Sequence, residues 1–261
     1  MPRVSQPMSG LSIPSRDSSP LPALSRQDVH VWFCRLVRHE EQRAALAALL
    51  SRDEQARAAR FAFDRDRHRF ILSHGLLRAI LARYVGREAG QIEFASGAHG
   101  KPALTGCSCA GQDIQFSLSH SGAYAVVAVA AGRAVGVDVE VYRPNVDALK
   151  LAQRFFSSEE SRQITQAQQG AQLSLFYRYW TAKEAYLKGR GVGLSLGLDR
   201  FEILFEDGSP LAHVRMTDSG AFDTNWQVQS VSLADDVSGA LAVEGPACQV
   251  RLCDSSTGLF R

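Results

Sequence analysis

Three segments of this chain reappear 106 residues downstream of themselves. Val31 answers Val137, the run LLSRDE at Leu49 answers FFSSEE at Phe155, and Phe70 answers Phe176. Beyond an insertion, SGAYAV from Ser121 is matched by SGALAV from Ser238. Shared order and spacing mark an ancient duplication. Two repeats of about 105 residues are too few and too long for a solenoid. The chain is therefore expected to build two similar α+β halves related by a pseudo-twofold axis, with a seam near Gly132.

Local patterns supply the same elements to each half. A strand-like run (Val29–Leu36) precedes helical stretches at Leu49–Phe61 and Asp66–Gly86, where Phe70, Leu77, Leu81 and Tyr84 recur at helical spacing and Gly86 supplies a stop. Strand-like runs follow at Gln91–Ala95, Ile114–His120 and Ala123–Ala130. The second half repeats the order, with a strand at Ala134–Tyr142, helix from Phe155 to Gly189, and strands at Phe201–Gly208, Trp226–Leu233 and Ser238–Gly245. The expected organisation is a disordered Ser/Pro-rich tail at 1–25, halves at 26–132 and 133–250, and a C-terminal tail at 251–261.

Composition narrows the function classes. With 45% hydrophobic residues in 261, both halves can bury a core. A formal charge of +2 permits phosphate-bearing or acidic partners and argues against a general nucleic-acid binder. Five cysteines without a C-x-x-C spacing argue against a disulfide framework or a zinc site. Neither a secretory h-region nor a membrane-length apolar run occurs, so a soluble cytoplasmic protein is expected. A fused pair carries its interface internally, which makes a monomer the expectation.

The duplication is asymmetric where chemistry is concerned. It sets Trp32 and Cys34 opposite Asp138 and Glu140, and Arg78 opposite Glu184, so only the second half carries these three acids. In VGVDVEV, period two puts Val135, Val137, Val139 and Val141 on one face and both carboxylates on the other, about 6.6 Å apart. A D-x-E on a solvent-facing strand is ordinary. Here the neighbouring AVVAVAAG is too apolar for a solvated hairpin partner, and two close carboxylates need a cation or a raised pKa. All-oxygen ligation suits Mg²⁺, with Glu184 as a third carboxylate. Tyr177, Thr181, Glu184 and Lys188 form one helical stripe, which aims Lys188 at the same pocket. The bland alternative is a surface Glu184–Lys188 pair, worth about 0.3 kcal/mol.

Because Mg²⁺ completes its shell with water and phosphates, phosphate binders are expected nearby. Ser119, His120 and Ser121 make a polar strand exit, and Lys101 sits on a Gly-Pro turn. Arg57, Arg60, Arg65, Arg67, His68, Arg69 and Arg78 form a basic helical region, mostly a solvated face. Neither G-x-x-x-x-G-K-[ST] nor G-x-G-x-x-G occurs, which excludes the ordinary nucleotide cradles.

GVDVE (Gly136–Glu140) followed by WTAKEAYLK (Trp180–Lys188), with GKP and SHS upstream, resembles the signature of 4′-phosphopantetheinyl transferases of the monomeric surfactin-synthetase type. The resemblance spans about Val29 to Gly245. It implies that family's fold, with the active site between the halves, and transfer of the phosphopantetheine arm of coenzyme A to a serine of an apo acyl or peptidyl carrier protein, releasing 3′,5′-ADP. By the same resemblance Asp138, Glu140 and Glu184 hold Mg²⁺ against the pyrophosphate, Glu184 is the base, and Lys188 protonates or neutralises the leaving phosphate. Lys101, Ser119 and His120 contact the phosphates, with Arg57, Arg78 and Lys183 as further cofactor-binding candidates. One departure is Glu54, where some relatives carry lysine. The competing expectations are a Mg²⁺-dependent phosphohydrolase or nuclease, disfavoured by the absence of a D…E-x-K spacing, and a non-catalytic relative that binds coenzyme A or carrier protein.

Overall fold

Two Ser-x-x-Glu capping boxes start helices at matching places in the chain. Ser51 accepts the Glu54 amide while Glu54 reaches back to the Ser51 amide, and Ser157 and Glu160 do the same. The computed structural model describes residues 23–97, 100–106, 108, 109 and 111–255. Its elements run β1 (Asp28–Arg35), α1 (Arg43–Ala48), α2 (Arg52–Ala59), α3 (Asp64–Val85), β2 (Phe94–Ser96), β3 (Pro102–Leu104), β4 (Ser108–Cys109), β5 (Gln112–Ser121), β6 (Tyr124–Ala131) and β7 (Val135–Val141). There follow α4 (Ala148–Phe155), α5 (Ser158–Gln166), α6 (Gln172–Arg190), β8 (Phe201–Phe205), β9 (Leu211–Met216), β10 (Trp226–Ser230), β11 (Val237–Glu244) and β12 (Gln249–Asp254).

The architecture is α+β. One five-stranded sheet has the order β12-β1-β6-β5-β4 and the other β7-β11-β10-β9-β8, with β2 and β3 as a separate hairpin. Val29, Val31, Val126 and Ala128 of the first sheet meet Val135, Val137, Val139 and Leu241 of the second in a shared core. The long helix α3 covers the other face of the first sheet through Leu76, Leu77, Ile80 and Leu81, and α6 covers the second through Tyr179, Ala182, Ala185 and Tyr186. Both helices end at a left-handed glycine, Gly86 and Gly191.

The two expected tails are shorter than the sequence suggests. Residues 1–22 and 256–261 lie outside the described residues. Leu24, however, is buried against Trp32 and Ile114, and 249–254 form a strand parallel to β1, from Asp28↔Gln249 to Phe33↔Asp254. Val250 and Leu252 alternate into the shared core, which supplies the driving force for that pairing. The last part of the chain thus returns to the first sheet. Among the described residues no helix is long and apolar enough to cross a membrane.

Candidate active site

The alternation read in VGVDVEV holds. Val135, Val137 and Val139 enter the shared core, and Asp138 and Glu140 stand on the opposite face of β7, toward α6. The helix reaches that face because Gly136 lets it. A Cβ at 136 would lie 2.0 Å from the Ala185 carbonyl oxygen and 2.2 Å from the Gly189 amide nitrogen, so backbone meets backbone there. This contact fixes the last turns of α6 and sends Glu184 and Lys188 over the strand.

Lys188 does not pair with its helical neighbour. Its Nζ donates to Asp138 Oδ1 at 2.6 Å and to Ser119 Oγ at 3.1 Å. Asp138 is almost fully buried, and its Oδ2 has no hydrogen-bond partner. Burial, then the Asp138 charge, raises the Glu184 carboxyl above its ordinary range, with Lys188 opposing. Glu140 is raised too, by burial first and by Asp138, against the hydrogen bond from Ser121.

These groups line a cleft of about 610 Å³ whose other wall comes from the first half: Arg57, His74, Lys101 and His120. A larger cleft of about 910 Å³, near the start of α6 among Arg35, Tyr142 and Arg178, contains none of the candidate residues. The chemistry therefore points to the smaller one.

Two observations fit a hard divalent cation at the carboxylates. Asp138 keeps a buried oxygen without a partner, and three carboxylates stand near one ammonium, an excess of negative charge that adds to burial in raising two of their pKa values. The expected three-ligand centre is nonetheless not preformed: among the described residues no three His, Cys, Asp or Glu side chains converge closely enough to hold a metal. Lys188 supplies Asp138 with its counter-charge instead.

Several sequence assignments change. Lys183 is fully buried and turns away from the cleft, donating to Glu160 at 2.7 Å and to the carbonyls of Leu198 and Phe201. One residue is about 100° of helix, which separates it from Glu184. Arg78 is likewise buried, its Nε on Glu54 at 2.7 Å and its Nη1 on the carbonyls of Ala89 and Ile92. Neither is placed to bind a cofactor. The expected stripe is rotated as well: Tyr177 and Thr181 are buried, with Thr181 Oγ1 bonded to the Tyr177 carbonyl and to Ser238, and Trp180 lines the cleft with Glu184 and Lys188.

Of the phosphate-binding candidates, Arg57 faces the cleft with its guanidinium carbon 5.2 Å from the Phe70 ring centroid. Lys101 lines the cleft while its Nζ donates to the Val135 and Gly189 carbonyls at 3.0 Å each, and burial holds its pKa down to about 8. His120 lines the rim of the cleft. Desolvation, followed by the charges of His74, Lys188 and Arg69, lowers its imidazole pKa. Ser119 gives its only proton to Asp138 Oδ1 at 2.7 Å, so it has none for a phosphate. His74, stacked on Phe70 with ring centroids 4.0 Å apart and hydrogen-bonded to Glu54, is a wall residue that sequence reasoning missed. Its one signal was the helical i, i+4 spacing from Phe70.

Comparison with known proteins points to one family. Residues 134–243 match the family model described as the 4′-phosphopantetheinyl transferase superfamily, and residues 38–132 match 4′-phosphopantetheinyl transferase, N-terminal. The chain is 38% identical over 222 residues to the 4′-phosphopantetheinyl transferase HetI of Nostoc sp. (strain PCC 7120), covering 85% of this chain and 90% of that protein. A phosphopantetheinyl transferase of Thraustochytrium sp. is 31% identical over 230 residues, 83% of this chain and 78% of its own. The 4′-phosphopantetheinyl transferase Sfp of Bacillus subtilis (strain 168) is 31% identical over 170 residues, 65% and 73% of the two chains.

Proposed function

The chain belongs to the 4′-phosphopantetheinyl transferase superfamily, and from that premise we propose that it moves the phosphopantetheine arm of coenzyme A onto a serine of an apo carrier protein in a Mg²⁺-dependent reaction. The observation that carries the reading is the polarity of the cleft. Asp138, Glu140 and Glu184 crowd one side around Lys188, and the cations Arg57 and Lys101 stand on the other, with His120 at the rim. A pyrophosphate needs cations on both of its sides, and such a cleft offers protein cations on one and ligands for a metal on the other.

The carrier serine oxygen forms a bond to the phosphorus on the pantetheine side of the pyrophosphate. The bond from that phosphorus to the bridging oxygen breaks, and 3′,5′-ADP leaves with the electron pair. Glu184, which lines the cleft beside Lys188, takes the serine proton. Asp138, Glu140 and Glu184 would hold Mg²⁺, whose chemistry when bound is to neutralise the pyrophosphate. Lys188, already bonded to Asp138 and Ser119, acts as a fixed positive charge beside the departing phosphate rather than as a proton donor. Both cleft walls come from one chain, which supports action as a monomer.

The test is incubation of the protein with coenzyme A and a panel of apo acyl and peptidyl carriers, read by intact mass. A gain of one phosphopantetheine that EDTA abolishes and Mg²⁺ restores is expected. No gain on any carrier would overturn the reading, and a gain undiminished in excess EDTA would remove the metal from it.

A further inference from the structure

Strand β7 is an edge strand of its sheet, paired with β11 alone. In an antiparallel ladder successive residues face alternate sides, so one set of β7 amides needs partners outside the sheet. Among the described residues no backbone strand provides them. Three serine hydroxyls of β5 do: Ser117 Oγ accepts from the Val137 amide at 3.1 Å, Ser119 Oγ from Val139 at 3.4 Å, and Ser121 Oγ from Val141 at 3.1 Å. At period two the serines share one face of β5, and β7 lies along that face like a rod gripped by a comb.

Two of the teeth have a second task. Ser119 donates to Asp138 Oδ1 at 2.7 Å, and Ser121 donates to Glu140 Oε2 at 2.6 Å. Each serine thus holds the amide 20 residues on and the carboxylate 19 residues on. The residue at the corresponding place for Ser117 is Gly136, which has no side chain because α6 passes against it. Ser117 grips backbone only.

The consequence is clearest at Asp138. Ser119 and Lys188 both engage Oδ1, which pins the carboxylate's rotation, and Oδ2 stays buried with no protein partner. We propose that Ser119 and Ser121 are positioning residues that fix the orientation of Asp138 and Glu140 by holding one oxygen of each carboxylate, and that Ser117 is a purely structural member of the same comb. The role given to the carboxylates rests on the transferase reading above; the comb does not.

The experiment compares Ser117→Ala, Ser119→Ala, Ser121→Ala and the hydroxyl-restoring Ser119→Thr in the full chain. Three quantities are read: Mn²⁺ dissociation constant by electron paramagnetic resonance, thermal midpoint, and kcat and KM for coenzyme A on an apo carrier. All three alanine variants should lower the midpoint by a few degrees. Ser119→Ala and Ser121→Ala should weaken Mn²⁺ by about 10–100-fold and lower kcat at unchanged KM, as loss of an outer partner of a ligand does, and Ser119→Thr should recover the affinity. Ser117→Ala should leave Mn²⁺ affinity as it is. Equal weakening by all three variants, or wild-type affinity in Ser119→Ala and Ser121→Ala, would overturn the proposal. A wild-type chain that binds Mn²⁺ but modifies no carrier would instead fault the transferase reading, and one that binds no Mn²⁺ overturns the comb's role with the metal site.

Discussion

The two halves use the same device and point it at different ends. In the first, Glu54 Oε2 accepts both the Ser51 amide and Arg78 Nε; in the second, Glu160 Oε2 accepts both the Ser157 amide and Lys183 Nζ. A capping-box carboxylate thus ties the short helix to a buried cation on the long one in each case. The remaining oxygens differ. Glu160 Oε1 takes the Ile203 amide and seals the pair inside, whereas Glu54 Oε1 reaches His74 on the cleft wall. Their acidities part accordingly: burial raises Glu160, while at Glu54 burial is outweighed by His74, Ser51 and Arg78, which bring the carboxyl to about 2. Two helices joined this way can be kept dry or opened to a ligand without changing the anchor.

The comparison also corrects the alignment. Ser51 and Glu54 answer Ser157 and Glu160 at the 106-residue spacing, but the physical counterpart of Arg78 is Lys183, not Glu184. Glu184 is therefore an acid added beside the anchor rather than a replacement of its cation.

The largest expected effect separates Glu184 from that anchor. Glu184→Gln should lower single-turnover transfer by about 10²–10⁴-fold with the thermal midpoint preserved, because only the proton acceptor and a ligand oxygen are lost. A midpoint that collapses while the residual rate stays high would place Glu184 among the structural pairs. Lys183→Met, measured by urea unfolding, should cost about 3–5 kcal/mol, since Glu160 is left charged or protonated in a sealed site. KM for coenzyme A should not move in the folded fraction.

Arg78→Met should cost less, about 1–3 kcal/mol, because Glu54 keeps His74 and the Ser51 amide. Equal losses for the two variants would break the comparison. Acid titration sharpens it further. The Glu54 pKa is lower folded than unfolded, so its contribution is fully present above about pH 4.5 and is lost as pH falls toward 2. Urea unfolding across that window should show a slope that Glu54→Gln flattens. The smallest change is expected at the cleft wall, where Arg57→Ala should raise KM for coenzyme A by about 2–5-fold at constant kcat, read in steady-state assays.

Much of the candidate site was legible from residues alone. Asp138 and Glu140 declared their shared face by alternating with valines, and Gly86 declared the stop of α3, whereas α6 runs through the expected stop at Gly189 and ends at Gly191. Other parts were not. Strand β9 (Leu211–Met216) opens with an exposed Leu211 beside a small buried Ala212, which blurs the alternation, and β12 looked like a tail until β1 gave it a partner.

Local chemistry, then, determined what each segment becomes: a capping box begins a helix with no help from distant residues, and period two sorts a strand's faces wherever the strand lies. Which polar side chain does what was decided only in three dimensions. Lys183 and Lys188 stand in one motif, and nothing in their order says that the first is sealed against Glu160 and the second rests on Asp138. The phase of α6 decides it, and that phase comes from the backbone contact of Gly136 with Ala185 and Gly189 across 49 and 53 residues of sequence. Ser119 is a parallel case. A hydroxyl has one proton, and only the approach of β7 to β5 commits it to a carboxylate rather than a phosphate.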